Sequence, residues 1–436
     1  MTTAWRRRCA AAASVLAGAS LLAWPALLNG YPIVFSDTGT FLLQAVQPSL
    51  VWDKPFVYGP FLRALHGNFS LWGPLAGQAL LLSCLLWLTA RALCRATPGH
   101  HLAVCAVLAA GSAAPWFASL LMPDILAPSV VLCLFVLAFG GRLHVAEQAA
   151  AVLLGVLATA SHLSHLPLAA GVLAVVVLLR WRRAWLAGLP LAGAVLLLLA
   201  TNAAVHGRVA LSPYGSVFAL ARLVADGPAA ATIRAECPQS GWRLCAWADR
   251  LPGNSDDFLW DAKGPVWSGA GGPAALAPEA ADILRRTVVR DPVAVAAALV
   301  GNGWRQFLMV GIGDTLGPDW LAESVLGSLH AYFPADEVAR FLAGRQMRGE
   351  LKTFAPVLNP LHLTLLAAGA LATVVLAVRR RDPGLAGLAA MVLMALAVNA
   401  VVTGGLSGPH DRYQSRIAWL VLLPPLFAYR RALRAA

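Results

Sequence analysis

RRRCAAAASVLAGASLLAWPALLNGYPIVFSDTGTF, residues 6–41, sets the reading of the whole chain. Three arginines precede an apolar run from Cys9 to Asn29, and an acid, Asp37, follows within a few residues. The run exceeds the roughly 7–15 apolar residues of a signal peptide and has no A-x-A site at its end. It reads as a retained helix long enough for the roughly 30 Å hydrocarbon core of a bilayer.

The rest of the 436 residues follows the same pattern. Hydrophobic residues make up 59% and charged residues only 12%, about half the charge of a soluble domain. A soluble globular domain and a disordered chain are both excluded by that balance. Further apolar runs fall at 70–90, 101–120, 124–140, 148–161, 166–179, 184–204, 355–378, 385–403 and 415–429. The expected architecture is therefore an all-α polytopic membrane protein with about ten transmembrane helices.

The net charge of +12 would suggest nucleic acid on a soluble chain. Its distribution says otherwise. With a cytoplasmic N-terminus, the cytoplasmic pieces hold Arg6, Arg7, Arg8, Arg91, Arg95, Arg142, Arg180, Arg182, Arg183, Arg379, Arg380, Arg381, Arg430, Arg431 and Arg434. Against these fifteen stand only Glu147 and Asp382, a net of +13, while the remaining eighteen cations and nineteen acids come to −1. That asymmetry is the positive-inside signature, so the charge reports orientation and no nucleic-acid partner is expected. Both termini are expected in the cytoplasm, and a bacterial inner membrane suits the plan.

Three regions follow: an N-terminal membrane module, 1–204, with a first outer loop at 30–69; an extracytoplasmic segment, 205–354; and a C-terminal membrane module, 355–436. In the outer segment, Cys237 and Cys245 lie eight residues apart in ECPQSGWRLC, and an oxidising compartment predicts a disulfide between them. The segment looks loop-rich as far as Pro278. Helical patterns follow from Pro278 to Arg290, from Asp291-Pro292 onward with a bend expected at Gly301 and Gly303, and from Trp320 to Arg345.

Polar groups that could carry chemistry stand at the outer ends of the helices. Asp37 is either a helix cap, with Ser36, or a carboxylate held at the interface as a general base on an acceptor hydroxyl or amine. Trp52 to Phe61 is a stiff aromatic and proline run. Asp53 and Lys54 in it are either an exposed pair or, for Lys54, a phosphate contact, and Tyr58 is a further candidate contact. Asp124 in LLMPDILAP caps the next helix or faces the same cavity as Asp37, where the two carboxylates would share a divalent metal or position a substrate. His162 and His165 in SHLSH share a helical face; they either pack at the interface or, as neutral donors, bind phosphate oxygens or sugar hydroxyls, and a metal would lack an obvious third ligand. His410, Asp411, Arg412, Tyr413 and Arg416 enter the last helix from outside, and the arginines either snorkel to lipid headgroups or bind phosphate bidentately. No Walker A loop, GxSxG or HExxH occurs, so nucleotide-driven transport and zincin chemistry have no support.

Taken together, these residues resemble a known plan. An acid follows the first helix. A stretch resembling R-P-P-x-Y-P, here KPFVYGPFLRAL, leads to the second. A short helical hairpin then carries an acid at its outer turn, here MPD. The arrangement resembles the GT-C superfamily of integral membrane glycosyltransferases, in particular protein O-mannosyltransferases and the aminoarabinose transferases that modify lipid A. It covers roughly residues 1–200, with Arg-Tyr near the C-terminus in addition. The resemblance implies a polyprenyl-phosphate-linked sugar as donor, an extracytoplasmic lipid, glycan or protein as acceptor, and inversion at the anomeric carbon. It implies Asp37 as the catalytic acid of the first loop and Asp124 as the second-loop acid. Lys54, Tyr58, His162, His165, Arg412, Tyr413 and Arg416 would then contact donor phosphate and sugar. Two departures stand out: Lys54 with one proline replaces Arg-Pro-Pro, and the large outer segment interrupts the membrane helices. The alternative is a non-enzymatic membrane protein, such as a lipid-linked sugar transporter or an envelope assembly scaffold. A transporter would want polar groups at mid-membrane depth, where Gln78, Asn202, His362 and Asn399 fall.

Overall fold

The computed structural model describes residues 3–94, 96–141, 143–379 and 381–435. Arg95, Arg142 and Arg380 of the basic set lie outside the described residues, as do the side chains of Arg430, Arg431 and Arg434. The chain is all-α: among the described residues the only β pairing is a single bridge, Ile33 to Leu120.

The first half contains α1 (Thr3–Leu22), α2 (Trp24–Asn29), α3 (Ser36–Gln44), α4 (Tyr58–His66), α5 (Trp72–Leu93), α6 (Pro98–Gly111), α7 (Ala114–Ser119), α8 (Leu126–Phe139), α9 (Val145–Ala160) and α10 (His165–His206). The middle contains α11 (Gly215–Ala225), α12 (Pro228–Glu236), α13 (Ser255–Trp260), α14 (Pro273–Arg290), α15 (Pro292–Leu308), α16 (Leu321–Ser324), α17 (Leu326–Tyr332), α18 (Ala335–Ala343) and α19 (Glu350–Phe354). The chain closes with α20 (Asn359–Arg379), α21 (Pro383–Leu406), α22 (Asp411–Ala418) and α23 (Leu423–Ala435).

The expected count of about ten spans is not met. Among the described residues four helices are long and apolar enough to cross a membrane, Trp72–Leu93, His165–His206, Glu350–Arg379 and Pro383–Leu406, or five if the bent pair Gly215–Ala225 and Pro228–Glu236 is one span. An integral membrane protein remains plausible on those four. The other apolar runs fail for separate physical reasons. α1 carries Arg6–Arg8 within it and breaks at Ala23. The 101–120 run breaks at Ser112, leaving a 14-residue α6 of about 21 Å. The last run turns through a tighter helix at Trp419–Leu422. α8 is apolar on every side, and each residue from Leu126 to Ala138 is buried, which marks a helix enclosed by its neighbours.

α10 is not a single straight helix. Its 42 residues contain one non-helical residue, Arg180, with φ −143° and ψ 45°. A Cβ on Gly188 would lie 3.7 Å from the Leu173 side chain, whereas fifteen residues along a straight helix span about 22 Å. The chain therefore folds back at Arg180. The basic residues gather at this end of the bundle. Arg180 lies over Phe139 at 5.2 Å, Arg91 pairs with Glu147, and Asp382 caps α21.

The 205–354 segment divides between two cores. Residues from Val217 to Val295 build their own core, around Leu220, Ile233, Phe258, Leu276 and Ile283, with Trp52 packed against it. Cys237 and Cys245 are joined by a disulfide there. α14 starts at Pro273, before the expected Pro278. α15 runs as one helix through Gly301 and Gly303, where a bend was expected; Gly303 and Gly404 let α15 and α21 pack closely. A Cβ on Gly404 would meet the Asn302 carbonyl at 2.5 Å. The Trp320–Arg345 pattern becomes three short helices, α16 to α18, which join the main core. They dock on the first loop. A Cβ on Gly39 would overlap the Ser324 carbonyl at 1.8 Å. The buried Glu337 accepts bonds from Tyr31 Oη, Ser70 Oγ and Leu71 N at 2.9, 3.1 and 2.8 Å.

Candidate active site

The site forms at the end of the bundle opposite the arginine-rich turns, from four stretches of chain. The first loop is fixed to the α7–α8 connection by the short bridge, with Ile33 N to Ser119 O at 3.0 Å and Leu121 N to Ile33 O at 2.8 Å. Thr38 Oγ1 accepts from Phe35 N at 2.9 Å and donates to Leu121 O at 3.0 Å. Thr38 thus caps α3, and the expectation that Ser36 or Asp37 would do so is corrected: the Asp37 carboxylate instead pairs with Lys54 Nζ at 3.1 Å. Asp53 takes Lys54 from its other side. The exposed-pair reading of Asp53 and Lys54 is also corrected, since their side chains are only 8% and 12% exposed.

Gln44 holds this segment in place. Its amide donates to the Lys54 and Pro55 carbonyls at 3.2 and 3.0 Å and accepts from Gly59 N at 3.2 Å. A side chain at Gly59 would meet the Phe41 carbonyl at 2.6 Å, so glycine allows this approach. Tyr58 is fully buried and its hydroxyl bonds Gln78, which in turn donates to Leu120 O at 3.0 Å. The Tyr58 hydroxyl is thereby committed to the scaffold and not turned toward a phosphate.

Asp124 sits in the tight turn before α8, 2% exposed, and makes no cap bond. Its carboxylate faces Arg416 at 3.4 Å and Arg412 at 3.7 Å. Arg416 also donates to Ser164 Oγ at 3.1 Å and Asn399 Oδ1 at 3.0 Å. Ser164 Oγ lies 2.7 Å from His162 Nδ1, and the His162 and His165 ring centres are 5.3 Å apart. Tyr413 lies beneath both guanidiniums, at 4.8 and 5.5 Å, and Phe35 beneath Arg412 at 4.5 Å. Arg412 and Ser415 line a narrow pocket with Asp314, Leu120 and Trp116.

Asp37, Lys54, Asp124, His162, His165, Arg412, Tyr413 and Arg416 thus fall within one linked cluster. Sequence reasoning missed Ser164, Gln44 and Asp314 as members. Ser164 lies within the quoted SHLSH, and only its neighbours carried a readable signal. Asn399 was visible as a polar residue in an apolar run, but its partner Arg416 was not.

The electrostatics are set by pairing. Burial acts to raise the Asp37 carboxyl, but Lys54 and then Arg412 outweigh it and hold it below its ordinary value. Burial acts to lower Lys54, and Asp37 and Asp53 outweigh it, so the ammonium is held charged. Burial drives the His162 imidazole well below its ordinary value, and Arg416, Arg412 and Lys54 add to that. His162 is therefore neutral at pH 7. Three cations, Lys54, Arg412 and Arg416, stand against the carboxylates of Asp37, Asp53 and Asp124, and Asp314, which accepts from Arg412 N at 3.2 Å, adds a fourth. Arg412 Nη1 and Arg416 Nε have no hydrogen-bond partner among the described residues.

The expected sharing of a divalent metal by Asp37 and Asp124 is not supported. Each carboxylate faces cations, and among the described residues no group of three or more His, Cys, Asp or Glu side chains is placed to hold a metal ion. The chain matches no protein-family model, no curated protein and no solved structure.

Proposed function

We propose that the protein is a membrane transferase of the GT-C kind, moving a sugar from a polyprenyl-phosphate donor to a hydroxyl or amine acceptor on the extracytoplasmic side. The observation that carries this reading is the pairing of an ionised, half-buried Asp37 with Lys54 beside the Arg412–Arg416 pair. Asp37 takes the acceptor proton as the acceptor oxygen or nitrogen attacks the anomeric carbon. The bond from that carbon to the phosphate oxygen breaks, and the lipid phosphate leaves with the electron pair. Unpaired donors on Arg412 and Arg416 meet the negative charge that develops on the leaving phosphate. A sugar phosphate ester is already activated, so the reaction draws on no nucleotide.

The transporter alternative is less well supported. Gln78, Asn202, His362 and Asn399 each have a local partner: Tyr58, the Ala210 carbonyl, the Val310 carbonyl and Arg416 respectively. Only His362 Nδ1 among these groups is left without a partner among the described residues, and a single buried nitrogen does not trace a translocation path. The test is transfer of labelled sugar from polyprenyl-phosphate pentoses and hexoses by the full chain in proteoliposomes. Transfer lost in Asp37→Asn but kept in a distant surface variant supports the reading. Movement of the lipid-linked sugar across the bilayer without transfer would replace it by the transporter.

A further inference from the structure

We infer that His162 and His165 are held in opposite tautomers and together form a binding site for a hydroxyl group, not for a phosphate oxygen. Unambiguous donors and acceptors fix both rings. Ser164 N–H donates to His162 Nδ1 at 3.2 Å, so that nitrogen carries a lone pair. Arg416 Nη2 can only donate, and it donates to Ser164 Oγ at 3.1 Å. The Ser164 hydroxyl hydrogen therefore turns to His162 Nδ1, 2.7 Å away. With Nδ1 accepting, the neutral His162 ring carries its hydrogen on Nε2.

His165 is set the other way. Its Nδ1 lies 2.7 Å from the Ala158 carbonyl, an acceptor only, so Nδ1 carries the hydrogen and Nε2 the lone pair. His165 is fully buried, and its Nε2 has no partner among the described residues. The groups facing the rings are Arg416, Arg412 and Lys54 around His162, and Arg416, His162 and Asp124 around His165. These three cations, Arg416, Arg412 and Lys54, oppose a second proton on His162.

The two adjacent rings thus offer one N–H donor and one bare acceptor. An ionised phosphate oxygen only accepts, so against His165 Nε2 it would set lone pair against lone pair. A hydroxyl both donates and accepts, so one seated between rings whose centres lie 5.3 Å apart would serve both nitrogens. In the proposed function, on which this step rests, the hydroxyl belongs to the transferred sugar, and the phosphate is left to the arginines. The other source of the same chemistry is a trapped water.

The experiment is nitrogen-15 NMR of ring-labelled histidine in the full chain in lipid nanodiscs at pH 7. His162→Gln and His165→Gln assign the two residues. The expected result is a bare Nδ1 on His162 and a bare Nε2 on His165. On adding a polyprenyl-phosphate sugar both signals shift, and on adding polyprenyl phosphate alone they do not. Signals that stay the same while tryptophan fluorescence reports binding of the sugar-bearing lipid assign the site to water and overturn the sugar-hydroxyl step. The same tautomer on both rings, a doubly protonated ring, or an equal shift with polyprenyl phosphate alone overturns the inference. If neither lipid binds, the proposed function fails instead, and the tautomers alone then decide this inference.

Discussion

Replacing Asp37 by Asn tests the proposed chemistry with little disturbance to the fold. Three features keep the change local. Thr38, not Asp37, caps α3. Lys54 retains Asp53 as a charge partner when Asp37 is neutralised. An amide has nearly the size of the carboxylate it replaces and can still accept from Lys54. The structural cost is then limited to one part-exposed ion pair, about 0.2–1 kcal/mol, and the loss of a helix-start anion, about 0.3–1 kcal/mol. The chemical cost is larger, because an amide cannot take a proton. Loss of a positioned general base slows transfer by about 10²–10⁴-fold, equivalent to about 2.7–5.5 kcal/mol of barrier. The assay is single-turnover transfer from a labelled polyprenyl-phosphate sugar, with tryptophan-monitored thermal unfolding of the same preparation. A variant with unfolding unchanged and transfer slowed in that range fits. A variant that unfolds as wild type and transfers at the wild-type rate refutes Asp37 as the base.

Lys54→Gln should move the acid limb of the transfer rate to higher pH. Lys54 is the largest influence lowering the Asp37 carboxyl, so without it the carboxyl protonates sooner as pH falls, and a pH profile of kcat/KM reads the displacement. Arg416→Met and Asp124→Asn should each destabilise by about 3–5 kcal/mol, since each leaves a buried charge short of a partner. The double variant should fall short of the sum by about 0.5–3 kcal/mol, and additive effects would show the pair to be uncoupled. Glu337→Ala leaves three donors unpaired at about 1–3 kcal/mol each; limited proteolysis should then cut within 321–355, and unchanged resistance would show that Glu337 does not hold α16 to α18 on the first loop. Gly39→Ala should have a similar effect, because the added methyl occupies the position of the Ser324 carbonyl.

The helical class was readable because apolar periodicity and charge placement are local properties. The number of membrane-crossing helices was not, because span length depends on where a helix stops. α8 illustrates this. Its sequence is as apolar as any membrane helix, yet its apolar character on every side reflects enclosure by neighbours. The turn at Arg180 was readable from the RWRR run between two apolar stretches. The docking of α16 to α18 onto the first loop was not, because it rests on pairs such as Tyr31 with Glu337, about three hundred residues apart. Within the site, charged residues at helix ends announced themselves against an apolar background. Their partners did not: no local pattern distinguishes Ser164 from any other serine that begins a helix, and its role follows only from Arg416 arriving from the other end of the chain.

The charge balance of the cluster constrains how the proposed reaction proceeds. At rest the carboxylates of Asp37, Asp53, Asp124 and Asp314 outnumber the three cations, so an arriving lipid phosphate finds no spare positive charge. It finds unpaired N–H groups on Arg412 and Arg416 instead. When Asp37 takes the acceptor proton it loses one negative charge, and at the same moment the departing phosphate gains one. The total within the cluster is unchanged; only the location of the charge moves. Arg412 is the group positioned to respond, since it acts on Asp37 and on Asp124. As Asp37 neutralises, its electrostatic pull on Arg412 weakens, and in the proposed reaction the guanidinium's field then acts on the phosphate, where its stabilisation is needed at the transition state and not before. Asp124, bound by Arg416 from the other side, keeps Arg412 from moving far in either direction. On this argument Asp124 is a positioning residue whose removal lowers kcat more than it raises KM, in contrast to a sugar contact such as His162, whose removal raises KM.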